Sequence, residues 1–278
     1  MSTSATTAYI CVTCAVQHAP TDAPPARCAI CEDERQYVRQ GGQQWTTLDE
    51  LRRTHRVEVR EIDADIWGIG VTPAFGIGQR ALLVRTPRGN VLWDCIGLID
   101  DAAVRKVREL GGIAAIAASH PHFYGAMVEW SRAFGAPTYL PSADREHVQY
   151  PDERMVWWDG TREIVPGATL VQCGGHFDGS AVLHWAAGAN GRGALLVGDT
   201  ITVVPDVRFV SFMRSYPNHI PLPADAVRQI VERVRPYPFA RIYGGWWDRV
   251  VREDGMGAVE RSADRYLRWI GAALPSRR

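Results

Sequence analysis

An apolar run, Ile113 to Ala118, ends in Ser119-His120-Pro121-His122, and a second apolar segment, Ala126 to Phe134, begins four residues later. The first segment reads as a buried strand and the second as a helix. The loop between them therefore carries two imidazoles one residue apart at a strand exit, where both can reach one ion. Two further strand-like runs end the same way. Ala168 to Cys173 leads into Gly174-Gly175-His176, and Ala194 to Val197 into Gly198-Asp199-Thr200. Three histidines and an aspartate, each at a strand exit, meet only if the strands share one end of a layered fold. His120, His122, His176 and Asp199 are read as one metal site.

The rest of the chain supports layers. Thr47-Leu48-Asp49-Glu50 matches a capping box and predicts a helix to about Arg53. Asp65 to Val71, Ala81 to Arg85 and Val91 to Cys95 predict an antiparallel meander, with a turn at Pro87-Arg88-Gly89-Asn90. Asp100 or Asp101 caps a helix through Leu110 that Gly111-Gly112 closes. Ala181 to Ala186 predicts a further strand, Ala224 to Val234 a helix, Arg241 to Tyr243 a short strand and Met256 to Ala272 a last helix before a polar tail. Two strand-rich halves, each with helices, imply an α/β (α+β) arrangement of layered sheets covered by helices.

Cys11-Val12-Thr13-Cys14 and Cys28-Ala29-Ile30-Cys31 predict two tight turns whose four thiolates complete a tetrahedral sulfur site. The stretch between them, Ala19 to Ala26, is too poor in large apolar side chains to pack a core, so a metal is expected to hold this module together. The boundary is placed at Gly41-Gly42, giving a zinc-ribbon-like module over 1–42 and a large domain over 43–278. Zinc is the default ion, and iron in a rubredoxin-like site fits the same ligands. Cys95 and Cys173 sit in apolar strands and read as packing residues.

Thirty-one basic residues balance thirty-one acidic ones at a pI near 7.1, which gives no global attraction to nucleic acid or an anionic membrane. Met1 to Tyr9 lacks the basic flank of a targeting segment, and no stretch reaches the roughly 18 apolar residues of a membrane span. A soluble cytoplasmic protein is expected, with self-association into a homo-oligomer left open.

The order His-x-His before a helix, Gly-Gly-His followed by Gly179-Ser180, and Leu195-Leu196-Val197-Gly198-Asp199-Thr200 resembles the metallo-β-lactamase-fold hydrolase superfamily from about residue 55 onward. The resemblance implies a four-layer αββα sandwich with a metal site at one edge between the sheets. It matches His120, His122 and His176 to a three-histidine site, and Asp199 to a carboxylate that bridges two metals in many members. The chain departs from the pattern His-x-His-x-Asp-His, because Tyr124 and Gly125 stand at its last two positions. No histidine lies in Tyr243 to Asp248, where the family has one. One catalytic metal ion is therefore expected.

His219, in Pro217 to Pro221, is the candidate additional ligand or proton shuttle, and His184 reads as a sheet residue. His18, His55 and His147 show no partners and are read as surface residues. Phe123, Tyr124, Trp246 and Trp247 belong to segments the fold would place at the site's mouth, implying a small organic substrate with an apolar or aromatic part. The leading expectation is a mononuclear zinc hydrolase attacking an ester, lactone, thioester or amide carbonyl, with Asp199 orienting the water and Tyr124 donating to the oxyanion. A non-haem iron oxidoreductase resembling persulfide dioxygenases is second, and a binding protein without turnover is third.

Overall fold

The computed structural model describes residues 6–272. The polar tail expected after the last helix and the first five residues of the Met1–Tyr9 segment lie outside them. Two sheets form the centre. The first has seven strands in chain order, from Arg56–Asp63 through Ile66–Thr72, Ala81–Val84 and Val91–Trp93 to Ala115–Ala117, Thr138–Pro141 and Met155–Trp158. Its first four strands run antiparallel, as the meander predicts, and the last three add in parallel. The second sheet orders Thr161–Val165, Ala168–Gln172, Ala181–Trp185, Ala194–Leu196, Arg241–Tyr243 and Val250–Val251.

Strand alternation builds the four layers. Leu82, Val84, Val91 and Trp93 of the first sheet pack against Leu170, Leu183, Leu196 and Tyr243 of the second. Their chain neighbours Leu83 and Leu92 point outward, into a core with Val107, Val128 and Trp130 of the helices Asp101–Glu109 and Met127–Phe134. Val182, Leu195 and Ile242 likewise face the helices Ala224–Val234 and Gly255–Trp269. Both faces of each sheet are covered, which is why these strands read as continuous apolar runs. The αββα sandwich expected from the resemblance is the fold observed.

Local signals hold in detail. Thr47 Oγ1 accepts from Glu50 N at 3.2 Å, while the Glu50 carboxylate accepts from Thr47 N at 3.0 Å. Asp100 caps the helix it precedes through Ala103 N at 2.8 Å. The strands that sequence pattern did not reveal include the edge strands Arg56–Asp63 and Thr161–Val165. An edge strand lies at the margin of the covered sheet and its side chains here are largely polar and less buried, so the apolar signal is diluted. No helix among the described residues is long and apolar enough to cross a membrane.

The amino-terminal segment does not stand apart. Ile10, Val16, Ile30 and all four of its cysteines share one core with Leu51, Leu83, Ile96 and Trp130. Gln17 N donates to Gly125 O and Ala19 N to Gln149 O, both at 3.0 Å. Ala15, at the second cysteine of its turn, sits so close to Gly76 and Gly97 that a Cβ on either would lie 2.6 or 2.7 Å from the Ala15 methyl. The module that lacks a core of its own is packed on the core of the large sheet.

Candidate metal centre

The strand Ala115–Ala117 delivers Ser119 and His120, and the one-turn helix Pro121–Phe123 carries His122. His176 follows the exit of Ala168–Gln172, and Asp199 the exit of Ala194–Leu196. Their ligand atoms all lie within 4.8 Å of one another, and all four residues are buried. His176 Nε2 is 3.4 Å from His122 Nδ1, and His120 Nε2 is 3.6 Å from Asp199 Oδ2. A tetrahedral ion with bonds of ~2.05 Å holds its ligand atoms about 3.3 Å apart, so the spacing suits a first-row divalent metal. His120 Nε2 is buried with no hydrogen-bond partner, an orphan that such an ion would satisfy.

The surrounding groups set the ring orientations. His176 Nδ1–H donates to Met213 O at 3.0 Å, which leaves Nε2 as the lone pair facing the cluster. His120 Nδ1 pairs with Ser119 Oγ at 2.9 Å. Asp199 Oδ1 accepts from Thr202 Oγ1 at 2.9 Å, leaving Oδ2 toward His120. Burial, then repulsion from His120, pushes His176 down to about 3, and burial drives His122 well below its ordinary value. Burial raises the Asp199 carboxyl, but His120, His176 and Thr202 outweigh it and hold it below the usual range. Neutral imidazoles beside a carboxylate are the protonation states a cation needs.

The four cysteines make a second cluster, with Cys11 Sγ 3.5 Å from Cys31 Sγ and Cys14 Sγ 3.7 Å from Cys28 Sγ. Zinc–sulfur bonds of ~2.3 Å imply sulfur separations of about 3.8 Å. Hydrogen bonding, from Cys14 first, pulls the Cys11 thiol down to about 6, and Cys11 draws Cys28 lower still. Burial pushes Cys14 up, and Cys11 pushes Cys31 up. Four thiolates cannot coexist here unaided. Gln43 Nε2 donates to Cys11 Sγ at 3.2 Å, and His18 Nε2 lies 3.5 Å from Cys28 Sγ.

Several residues stand elsewhere than the sequence suggested. His18 is buried beside the cysteines and edge-on to Trp45, and His147 is half-buried with its ring 5.0 Å from Phe177. Neither is the surface residue expected. His219 is exposed, in a left-handed turn between Met213–Ser215 and Ile220–Pro221, and is not part of the four-residue group. His184 is the expected sheet residue, its Nε2 donating to Pro238 O at 2.8 Å. Cys95 and Cys173 are buried among strands as expected.

Tyr124 is wholly buried. It lines a closed space with Val16, Gln17, Met127, Val128, Gln149 and Tyr150, its hydroxyl has no hydrogen-bond partner, and the charged group bearing on it is Asp144. The turn Pro121–Phe123 has about three residues per turn, so Tyr124 follows the face of Pro121 rather than that of His122. Tyr124 thus lies at the seam with the amino-terminal segment.

Three residues escaped the sequence reading. Asp94 accepts from Ser119 N at 2.7 Å and pins the start of the histidine loop, and burial pushes its carboxyl up to about 8. Phe177 packs its ring against those of His120, His122 and His176. The Arg35 guanidinium lies 3.7 Å over Phe177. Each is an ordinary residue type whose partners come from distant segments. Phe123 links His120, at 4.8 Å between ring centroids, to Trp246 at 5.8 Å, and Trp246 to Arg249 line a groove of about 410 Å³.

Comparison with known proteins agrees with this architecture. A family model described as the metallo-β-lactamase superfamily matches residues 75–246. The chain is 46% identical over 269 residues to the uncharacterized protein YmaE of Bacillus subtilis (strain 168), covering 96% of this chain and 98% of that one. Among solved structures, a B3 metallo-β-lactamase with an active-site glutamic acid superposes with a TM-score of 0.53 at 16% identity, over 81% of this chain and 94% of that one. VMB-1 superposes with a TM-score of 0.58 at 13% identity, over 78% and 99%. These structural likenesses establish the fold.

Proposed function

We propose that this chain, which belongs to the metallo-β-lactamase superfamily, is a mononuclear metal-dependent hydrolase acting on an ester, lactone, thioester or amide carbonyl. The superfamily consists largely of metal-dependent hydrolases. The observation that carries the reading is the convergence of His120, His122, His176 and Asp199 within 4.8 Å. A divalent ion held there would make hydroxide available from water near neutral pH and polarise a carbonyl. Zinc is the ion proposed, with a second, structural zinc held by Cys11, Cys14, Cys28 and Cys31.

The chain's own residues do the rest. Asp199 Oδ2 faces the cluster while Thr202 fixes Oδ1, so the carboxylate is oriented to accept a proton from water or to serve as a fourth ligand. The groove at Trp246, joined to His120 through Phe123, suits the apolar or aromatic part of a small substrate. Three imidazoles rather than two gather beside the carboxylate, which supports hydrolysis over a two-histidine, one-carboxylate oxygenase centre.

The test is His176→Ala. Hydrolysis of a panel of activated esters and lactones should fall to background, together with the metal content of this site. Undiminished turnover would overturn the assignment. A red, iron-loaded preparation would redirect it toward oxidative chemistry.

A further inference from the structure

We propose that Arg35 is a positioning residue for the histidine centre, and that through it the four-cysteine centre supports the catalytic one. The inference rests on the reading that both clusters hold metal.

Cys28 caps and Cys31 lies within the short helix Ala29–Glu32, which ends at Asp33. The Asp33 carboxylate accepts from Arg35 N at 2.9 Å, and from Arg35 Nε and Nη2 at 2.6 Å each. This fork fixes the guanidinium four residues beyond a cysteine ligand. From there it lies over Phe177, and Arg35 Nη1 donates to His176 O at 3.4 Å. Phe177 is the next residue after the ligand His176, and its ring touches all three ligand imidazoles.

A second set of bonds closes the arrangement. His176 Nδ1–H donates to Met213 O, and two residues along the same strand Ser215 Oγ donates to Arg35 O at 3.0 Å. Asn218 Nδ2 donates to both Glu34 O and Gln36 O at 2.9 Å. His176 is therefore held from two sides by elements that are themselves tied together. Arg35 is only 8% exposed, so these partners compensate the burial of its guanidinium. On its amino-terminal side the segment is anchored by the cysteines and Ile30, because the residues from Pro20 to Arg27 are mostly exposed. Groups that orient a ligand histidine typically change metal affinity by about 10–100-fold.

Cobalt(II), added alone to metal-free full-length protein, separates the two sites. A tetrathiolate cobalt centre absorbs strongly in the near ultraviolet and one held by nitrogen and oxygen does not, so that band reports the cysteine site and the remaining bound cobalt the histidine site. Arg35→Ala should leave the thiolate band intact and weaken cobalt binding at the histidine site by about tenfold or more, read by chelator competition on the bound cobalt beyond the thiolate-band equivalent. Asp33→Asn, which frees the fork without touching either cluster, should weaken it in the same direction. Cys31→Ser should abolish the thiolate band and weaken the histidine site as much as Arg35→Ala, and combining the two should add nothing. Unchanged histidine-site affinity in Arg35→Ala and Asp33→Asn overturns the inference. Additive effects of Cys31→Ser and Arg35→Ala overturn the coupling. A wild-type chain that takes up no cobalt at the histidines removes the metal-site reading itself, a result distinct from either.

Discussion

Gly198 and Ser119 meet so closely that a Cβ on Gly198 would lie 2.1 Å from Ser119 Oγ. Gly198 has a φ of +50°, a region that L side chains rarely adopt, and it directly precedes Asp199. Ser119 Oγ in turn holds His120 Nδ1. Two strand exits are thus brought together by the absence of a side chain, and two of the proposed metal ligands with them.

Gly198→Ala should therefore both destabilise the chain and separate His120 from Asp199. Overpacking plus a left-handed backbone predicts a loss of about 2–4 kcal/mol in urea unfolding, with metal lost from the histidine site. Retention of full stability would show that the neighbouring strands can part without cost.

Gly125 occupies the position where the family pattern has a histidine. Its φ is +47°, and a Cβ there would lie 2.5 Å from Ile96 O. Restoring the pattern with Gly125→His should cost more than about 3 kcal/mol rather than create a second metal site. Thermal melting together with metal analysis checks this, and a stable variant with an extra bound ion would refute it.

Burial pushes the Asp144 carboxyl up to about 7, against the stabilising Gly179 N–H that Oδ1 accepts. Its folded value lies above the unfolded value of about 4, so folding takes up a proton between these limits. The contribution to stability is full below pH 4 and lost as pH rises through 7. Asp144→Asn keeps an acceptor for Gly179 and removes the charge. It should flatten this slope, gaining about 2–4 kcal/mol relative to wild type at pH 8 compared with pH 4. Parallel stability curves from denaturant unfolding across that range would rule it out.

Ile30 is 1% exposed between Cys28 and Cys31, within the core that also holds Leu83 and Trp130. Ile30→Ala should lower the stability of the whole chain by about 2–4 kcal/mol in a single unfolding transition. Separate melting of an amino-terminal arm would mean that the shared core does not couple the two segments.

Much of this protein is legible along the chain. Covered sheets demand apolar runs such as Ala81–Val84 and Ala194–Leu196, and caps such as Thr47 and Asp100 act over three residues, so local pattern suffices for them. The clustered histidines were legible because each follows a strand end, and a layered fold brings strand ends together. The cysteine pairs were legible by spacing alone.

What tertiary structure decided is which segments face each other. Two short strands and a turn do not reveal that Arg35 lies on Phe177, that His18 lies beside Cys28, or that Tyr124 shares a pocket with Val16 and Gln17. These contacts join residues far apart in sequence, or depend on the pitch of a single turn. Sequence determines the local periods and the chemical types that can gather. The packing of the amino-terminal segment on the sheet decides which of them touch, because burial rewards the whole arrangement rather than any one residue.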